Sequence, residues 1–194
     1  MNYEPKKYDL LLGMTGFSDQ LLKNHFTLYE GYVANTNKIS VLLKEMTAAG
    51  KAATPEYAEL KRRFGWEYNG MRLHELYFGN MAKDAKKLDQ NSPLAKKITE
   101  EFGSMENWEA DFKSTGTMRG IGWVILSHDT TTDTLFNVWI NEHDVGHLAG
   151  ATPILVLDVF EHAYMIDYGL KKADYITTFM SAVNWREAEK RFKA

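Results

Sequence analysis

Apolar positions in the first half of the chain recur with the spacing of a helix. Between residues 17 and 44, leucines, tyrosines, valine and isoleucine stand three or four residues apart, which places them on one helical face. Gly50 is suited to end this helix, and Thr54-Pro55 has the residues that begin another. A second helical run covers residues 55–87. Two helices joined by a short loop predict an antiparallel helical hairpin.

Shorter elements are predicted after the hairpin. Ser92-Pro93 indicates the start of a third helix and Gly103 its end, and a fourth helical run covers residues 105–113. Three short apolar runs, each beside turn residues or a proline, are then typical of strands. These runs are residues 123–126, 135–140 and 154–160.

This order of elements predicts an α+β fold. An N-terminal antiparallel helical hairpin is followed by an α/β unit with a three-stranded antiparallel sheet. Helical patterns resume over residues 161–192. We place the division between two domains after residue 90, which gives a helical hairpin domain over 1–90 and an α+β domain over 91–194.

Composition narrows the possible chemistry. The chain has 194 residues, a net charge of −3 and no Cys. So small a charge gives no reason to expect a nucleic acid or an anionic membrane as partner. Without Cys, any metal must be held by His or oxygen ligands. The N-terminus lacks the apolar region of a signal peptide, and no stretch has the roughly 20 apolar residues of a membrane span. We therefore expect a soluble, cytoplasmic protein.

Histidines and one aspartate are the candidates for a metal site. His25 and His74 stand in helical runs among aromatic residues, and Asp158 ends a very apolar strand. A buried charge there is costly unless it is paired or binds a metal. His162 is four residues from Asp158, so one helical turn would direct both at one point. We interpret His128 as solvated beside the turn between two strands. The residues alone leave packed histidines and a metal site as alternatives.

Five segments, in order along nearly the whole chain, resemble the iron/manganese superoxide dismutase family. Residues 158–164, Asp-Val-Phe-Glu-His-Ala-Tyr, resemble its signature D-x-W-E-H-A-Y. The other segments are residues 69–78, residues 120–123, residues 184–185, and His25 with residues 32–37. The resemblance implies an enzyme that converts superoxide to oxygen and hydrogen peroxide. One mononuclear Fe or Mn ion would cycle between +2 and +3.

The resemblance also implies the ligand set. The ligands would be His25, His74, Asp158 and His162. Three imidazoles and one carboxylate suit iron or manganese and leave a position for bound solvent. Phe78 and Phe160 stand where relatives carry Trp, and we expect them still to form a dry aromatic wall.

Two residues receive catalytic roles from the same resemblance. Many relatives place Gln near the bound solvent, but here Gly70 occupies one such position and His143 aligns with relatives that use His. His143 is expected to connect the solvent with the gateway residue Tyr32, and it inclines the metal expectation toward iron. Lys172 stands where relatives carry an Arg near the substrate channel. Its charge would attract superoxide, and an ordinary solvated lysine is the alternative.

Assembly is the last implication of the resemblance. We expect a homodimer or a dimer of dimers, with Glu161 contacting a ligand His of the partner. Relatives separate the first-helix ligand from the gateway Tyr by eight residues, with a second His between, whereas His25 and Tyr32 are seven apart. At about 100° per residue, a regular helix then directs both to one side. Met165 replaces the Tyr that meets the second His, and we expect it in apolar surroundings near the dimer contact. The alternative is that Tyr29 replaces this His with a new partner.

Two other functions remain open from the sequence. A mononuclear iron oxygenase uses two His and one carboxylate, although the third His argues against it. A metal-binding relative with a structural or interaction role would keep the same ligands.

Overall fold

The computed structural model describes residues 2–193, and its first half is the predicted helical hairpin. Helix α1 spans Asp19–Ala48 and helix α2 spans Pro55–Gly79. The side chains of Ser18 and Thr54 cap the two helices by accepting a backbone N–H three residues further on. Residues 2–193 contain no helix with the length and hydropathy that a transmembrane span requires.

Helix α2 ends at Gly79, before the predicted end at Lys87. The next residue, Asn80, is fully buried, and its side-chain oxygen accepts the Val156 N–H at 2.9 Å. This bond directs the chain toward the sheet, so a tertiary contact overrides the helical pattern. The predicted domain boundary at residue 90 lies in the loop after α2, and the division into two domains stays a prediction.

Helix α3 spans Pro93–Phe102 and helix α4 spans Met105–Thr117. Ser92 caps α3, and Gly103 follows it with a φ of +80°, a left-handed conformation that favours glycine. Both ends of α3 therefore agree with the sequence. Buried apolar side chains form a core that continues from the hairpin through these helices to the sheet.

The three predicted strands form an antiparallel sheet. Within residues 2–193, strands β1 (Gly122–Asp129), β2 (Thr134–Asn141) and β3 (Thr152–Asp158) are arranged in the order β2-β1-β3. The central strand β1 is buried over nearly its whole length. Trp123 in β1 pairs with Asp158 at the end of β3. The α+β class and the antiparallel sheet predicted from the sequence are confirmed.

The predicted helical run over residues 161–192 is broken into separate pieces. A 3₁₀ turn at Glu161–Ala163 is followed by α5 (Met165–Tyr168), α6 (Lys172–Ser181) and α7 (Trp185–Phe192). Gly169 separates α5 from α6 with a φ of +52°. The breaks let α6 pack on α4 while α7 packs on β3.

The outer edge of β3 is covered by side chains from α6, from α7 and from the residue that follows α2. An uncovered edge strand presents free N–H and C=O groups on which another chain can pair. The capping pairs are Asn80 with the Val156 N–H at 2.9 Å, Arg191 with the Ile154 carbonyl at 3.3 Å, and Tyr175 with the Asp158 carbonyl at 2.7 Å. Side chains thus take the places that a further strand would fill.

The interpretation of His128 as solvated was wrong. Its exposed fraction is 7%, and its Nε2 lies 2.8 Å from Oδ1 of Asp133. The ring also lies 4.7 Å from that of Phe192 in α7. The sequence placed His128 beside a turn but gave no sign that the last helix would cover it.

Candidate metal centre

Four side chains converge where the hairpin meets the α/β unit. His25 comes from α1, His74 from α2, Asp158 from the end of β3 and His162 from the turn that follows. One nitrogen or oxygen atom of each lies within 4.8 Å of those of the other three. The first three residues are at most 2% exposed. The structure therefore brings together all four residues predicted as ligands.

The Asp158 carboxylate lies among the three imidazoles. Its Oδ2 is 3.1 Å from Nε2 of His25, 3.1 Å from Nε2 of His162 and 3.6 Å from Nε2 of His74. Its Oδ1 accepts the Phe160 N–H at 2.8 Å. One carboxylate oxygen is thus fixed by the backbone, and the other faces the histidines.

His74 shows most directly that these residues fit a metal ion. Its Nδ1–H donates to the Gly70 carbonyl at 2.6 Å, which leaves Nε2 unprotonated in the neutral ring. That Nε2 is buried, and no hydrogen-bond partner for it exists among the described residues. A buried acceptor without a partner costs free energy, whereas an unprotonated imidazole nitrogen is a common metal ligand.

The charges of the cluster suit the same interpretation. Burial lowers the pKa of His25 and holds that of His74 well below its usual value. Burial alone would raise the pKa of Asp158, but His162 and His25 outweigh it and hold the pKa far below its usual value. At neutral pH the centre therefore contains an ionised carboxylate and neutral imidazoles at His25 and His74. These donors suit iron or manganese.

Asp158 and His162 meet by a different route from the predicted helical turn. Phe160, between them, has extended backbone angles (φ −66°, ψ 152°), and only then does a 3₁₀ turn begin. The strand end and this turn direct both side chains to one point. The two side chains do lie close together, but the predicted helical turn between them was wrong.

Tyr32 and His143 form a hydrogen-bonded pair beside the four residues. Nε2 of His143 lies 2.7 Å from the Tyr32 hydroxyl, and the Trp123 indole N–H donates to Nδ1 of His143 at 3.0 Å. Because an indole nitrogen only donates, the neutral ring carries its proton on Nε2 and donates it to Tyr32. Burial lowers the pKa of His143 to about 4 and raises that of Tyr32. Both side chains are neutral at physiological pH. Tyr32 accepts the hydrogen bond from His143, so it does not donate its own proton to His143.

Gly70 makes room for Tyr32. The Tyr32 ring stacks on that of His74, with the centroids 5.1 Å apart and the planes at 30°. A Cβ added to Gly70 would lie only 2.6 to 3.0 Å from three ring carbons of Tyr32. Helix α1 continues as a regular α-helix through His25 and Tyr32, as their spacing predicted. The sequence indicated only that Gly70 replaced a Gln, and this steric role was missed.

Aromatic rings surround the centre. Phe78 lies edge-on to His25 at 4.9 Å, and Phe160 stacks on His143 at 4.7 Å. Trp66 lies 4.8 Å from the His143 ring. The sequence did not single out Trp66, because no local pattern indicates that a residue of α2 contacts the loop after β2.

Tyr29 has a partner within its own chain. Its hydroxyl donates to Oε1 of Glu75 at 3.0 Å and accepts the Lys6 N–H at 3.0 Å. The other Glu75 oxygen binds Nζ of Lys6 at 2.9 Å and a guanidinium nitrogen of Arg72 at 2.7 Å. This arrangement corresponds to the alternative in which Tyr29 takes a new partner.

Three other predicted site residues are not part of the four-residue cluster. Nζ of Lys172 donates to the Met118 carbonyl at 2.6 Å and lies 5.8 Å from the ring centroid of Trp139. Glu161 is exposed, and Met165 is 42% exposed. A substrate-channel role for Lys172 and subunit contacts for the other two stay predictions.

Comparison with known proteins connects this geometry to a family. The model described as iron/manganese superoxide dismutases, C-terminal domain, matches residues 90–191. "Superoxide dismutase [Fe]" of Cupriavidus metallidurans is 38% identical over 184 residues, which cover 93% of this chain and 91% of the relative. "Superoxide dismutase [Mn] 2" of Haloferax volcanii is 35% identical over 198 residues, covering 100% and 96%. "Superoxide dismutase [Fe]" of Aquifex pyrophilus is 34% identical over 195 residues, covering 98% and 91%.

Proposed function

The chain belongs to the iron/manganese superoxide dismutase family, and we propose that His25, His74, Asp158 and His162 hold the Fe or Mn ion with which it converts superoxide to oxygen and hydrogen peroxide. The observation that carries this assignment is the convergence of these four side chains, with a buried, unpartnered Nε2 on His74. When bound, the ion supplies a one-electron couple that takes an electron from one superoxide and returns it to a second.

The four proposed ligands differ in what they contribute. Asp158 is the anionic donor, and its charge offsets part of the positive charge of the ion. The Phe160 N–H holds one of its oxygens at 2.8 Å, which directs the other toward the imidazoles. The Gly70 carbonyl fixes the His74 ring through Nδ1. Such outer contacts orient ligands and tune a metal.

We propose that Tyr32 and His143 deliver protons to the reduced substrate. Hydrogen peroxide leaves only after the second superoxide has received two protons. The Tyr32 hydroxyl can donate one of the two protons, because His143 acts as donor in the bond between them, and solvent water supplies the other. The same Nε2–H then stabilises the resulting phenolate until a proton from water replaces the one lost. Trp123 keeps the His143 ring in this orientation.

We propose Lys172 as a cation that draws superoxide toward the centre. It is partly exposed, and its side chain lies over Trp139, which neighbours Ile140, the β2 partner of Trp123. A positive charge near a channel raises the rate at which an anion arrives.

We further propose that the protein is a homodimer in which Glu161 and Met165 lie at the subunit contact. Met165, Ile166 and Leu170 follow the proposed ligand His162 closely in sequence and are 42%, 53% and 90% exposed. Large apolar side chains exposed close together are typical of interaction surfaces. Sedimentation of wild type and of Met165→Lys would test this, since a lysine there should weaken the dimer.

The cytoplasm is our proposed location. The sequence has no Cys and therefore needs no oxidising compartment to form disulfides. Fractionation of the source cells with an antibody against the protein would test the location.

Elemental analysis combined with a superoxide-removal assay tests the function. Purified protein reconstituted with Fe or with Mn should bind one ion per chain, and at least one form should remove superoxide. Asp158→Ala should retain no metal, because it lacks the anionic donor. Full metal occupancy without superoxide removal would indicate a structural role instead. Oxygen consumption with an organic substrate would indicate an oxygenase.

A further inference from the structure

The carbonyl group of Asp158 lies outside the hydrogen-bond ladder of the sheet. Asp158 pairs with Trp123, and the neighbouring ladder bond runs from the Val159 N–H to the Gly122 carbonyl at 2.9 Å. In an antiparallel ladder, this pattern makes the N–H and C=O of Asp158 itself point away from β1. The Tyr175 hydroxyl in α6 donates to this carbonyl at 2.7 Å.

A second tyrosine is hydrogen-bonded to the first. The Tyr77 hydroxyl in α2 lies 3.1 Å from that of Tyr175. Since the single proton of Tyr175 is used on the Asp158 carbonyl, Tyr77 donates to the Tyr175 oxygen. Both tyrosines are at most 1% exposed, so bulk water does not compete for these bonds. Two hydrogen bonds thus form a short chain, from the Tyr77 hydroxyl to the Tyr175 hydroxyl and from there to the backbone carbonyl of Asp158, a proposed ligand.

We infer that Tyr175 is a positioning residue for Asp158. Its hydrogen bond fixes the plane of the peptide group after Asp158, while the Phe160 N–H fixes Oδ1. Together they set the direction in which Oδ2 faces the imidazoles. The inference rests on the proposed function, because it takes Asp158 as a metal ligand. Neither tyrosine needs to touch the metal or the substrate.

Packing alone is the competing explanation for Tyr175. Its ring stacks on Tyr164 at 5.4 Å and meets Phe17 edge-on at 6.2 Å. A phenylalanine would keep these ring contacts and lose only the hydroxyl. The substitution Tyr175→Phe therefore separates the two explanations.

The experiment compares Tyr175→Phe with Tyr77→Phe in iron-loaded protein. Each variant removes one hydroxyl from the same buried pair, but only the first removes the bond to Asp158. We expect Tyr175→Phe to release iron to a chelator about tenfold faster than wild type, a typical effect of losing an outer contact of a metal ligand. Its ferric electron paramagnetic resonance spectrum should also shift. Tyr77→Phe should stay close to wild type in both measurements, with urea unfolding of the metal-free forms as the stability reference.

Equal release rates and identical spectra for the two variants would show that Tyr175 acts only by packing. If wild type itself retained no iron or manganese, the proposed centre would fail, and that result is separate from the comparison of the variants. Should Tyr175→Phe not fold, 3-fluorotyrosine at position 175 replaces it, because its hydroxyl is a stronger donor of the same shape. Slower iron release would support the inference, and unchanged or faster release would overturn it.

Discussion

Single hydrogen bonds decide where protons lie around the centre. The Gly70 carbonyl leaves Nε2 of His74 without a proton, and the Trp123 indole leaves Nε2 of His143 with one. The first nitrogen is therefore suited to bind a metal and the second to donate to Tyr32. His74 and His143 thus carry their protons on different ring nitrogens, because Nδ1 faces a carbonyl acceptor in His74 and an indole N–H donor in His143.

The role of His143 leads to a specific expectation. His143→Ala should keep its metal, because none of the four proposed ligands is changed. Superoxide removal should fall by about tenfold or more, since Tyr32 loses its hydrogen-bond donor. Metal analysis and the activity assay on the same sample measure both effects.

His147→Ala is the matched control for this variant. His147 is exposed, and its Nε2 lies 2.9 Å from the backbone carbonyl of His143. Its loss should leave activity near that of wild type. Full activity in His143→Ala would remove His143 from the proton path.

Gly70 offers a steric test of the Tyr32 position. In Gly70→Ala the new methyl group would lie within 3.0 Å of the Tyr32 ring, so Tyr32 must move and its 2.7 Å bond to His143 must lengthen. We expect lower activity and a loss of about 1–3 kcal/mol in the free energy of unfolding, which is typical of overpacking. Activity assays and urea unfolding check the two effects.

Gly65→Ala provides the comparison within the same helix. Apart from its chain neighbours and the backbone of α2 itself, none of the described residues has an atom within 4 Å of a Cβ built at Gly65. Alanine should therefore stabilise α2 by roughly 0.5–1 kcal/mol and leave activity unchanged. If both alanine variants behaved alike, the contact between Gly70 and Tyr32 would not matter.

Among the secondary-structure elements, the segment before α1 holds the hairpin helices together through Glu75. The Tyr3 backbone exchanges two 2.8 Å bonds with the Asn37 side chain of α1. Further along, Lys6 binds both Tyr29 of α1 and Glu75 of α2. The buried Glu75 carboxylate therefore connects three parts of the chain one residue away from a proposed metal ligand.

Glu75→Gln should destabilise the hairpin by about 2 kcal/mol, because charged hydrogen bonds to a buried carboxylate are lost. The cations are partly exposed, with 59% of the Lys6 side chain and 37% of the Arg72 side chain accessible, which limits the loss. Glu59→Gln breaks only an exposed pair with Arg62 and should cost less than about 1 kcal/mol. Urea unfolding of both variants measures the difference, and equal stabilities would contradict this role.

The contribution of Glu75 should depend on pH. Burial alone would raise its pKa, but Lys6 and Arg72 outweigh burial and hold the pKa below the ordinary value of 4.5. A lowered pKa means that the stabilisation is complete above the ordinary value and declines as the pH falls through the folded-state value. The stability gap between wild type and Glu75→Gln should therefore be largest near neutral pH and shrink in acid. A gap that widened in acid would contradict this sign.

The ends of elements were predictable where local chemistry sets them. Ser92, Pro93 and Gly103 marked α3 correctly, since a cap and a left-handed glycine act through adjacent residues. The end of α2 was missed because Asn80 bonds to a strand far along the chain. The breaks after residue 161 were missed for a similar reason, as apolar residues at helical spacing also suit short helices packed on a sheet.

In the whole molecule, the centre joins the two halves of the fold. Two proposed ligands come from the hairpin and two from the α/β unit, so metal removal should weaken the connection between them. An ion that binds only the folded state adds about 2.7 kcal/mol when its free concentration is 100 times Kd. Unfolding in urea before and after chelation should show a loss of this order. Asp158→Ala should show no such difference, and coincident wild-type curves for samples with and without measured metal would contradict the expectation.

Some residues of the metal centre were predictable from the sequence and others were not. Reasoning from the residues alone left a metal site and packed histidines as alternatives, and the family resemblance supplied the four ligands and Tyr32. Trp66 and Tyr175 remained unseen, because their contacts with His143 and Asp158 join different elements. Such contacts follow from tertiary packing, which local patterns do not encode.

The covered edge of β3 also affects the order in which the chain can complete its fold. The ribosome completes β3 before it adds Tyr175 and Arg191, two of the three residues that cap this edge. At about 5–20 residues per second, the interval from Asp158 to Arg191 lasts a few seconds. The edge of β3 therefore stays open until α6 and α7 have docked, which can happen only after nearly the whole chain has been made. Slow docking of these two helices would prolong the exposure of the edge and increase the demand for chaperones.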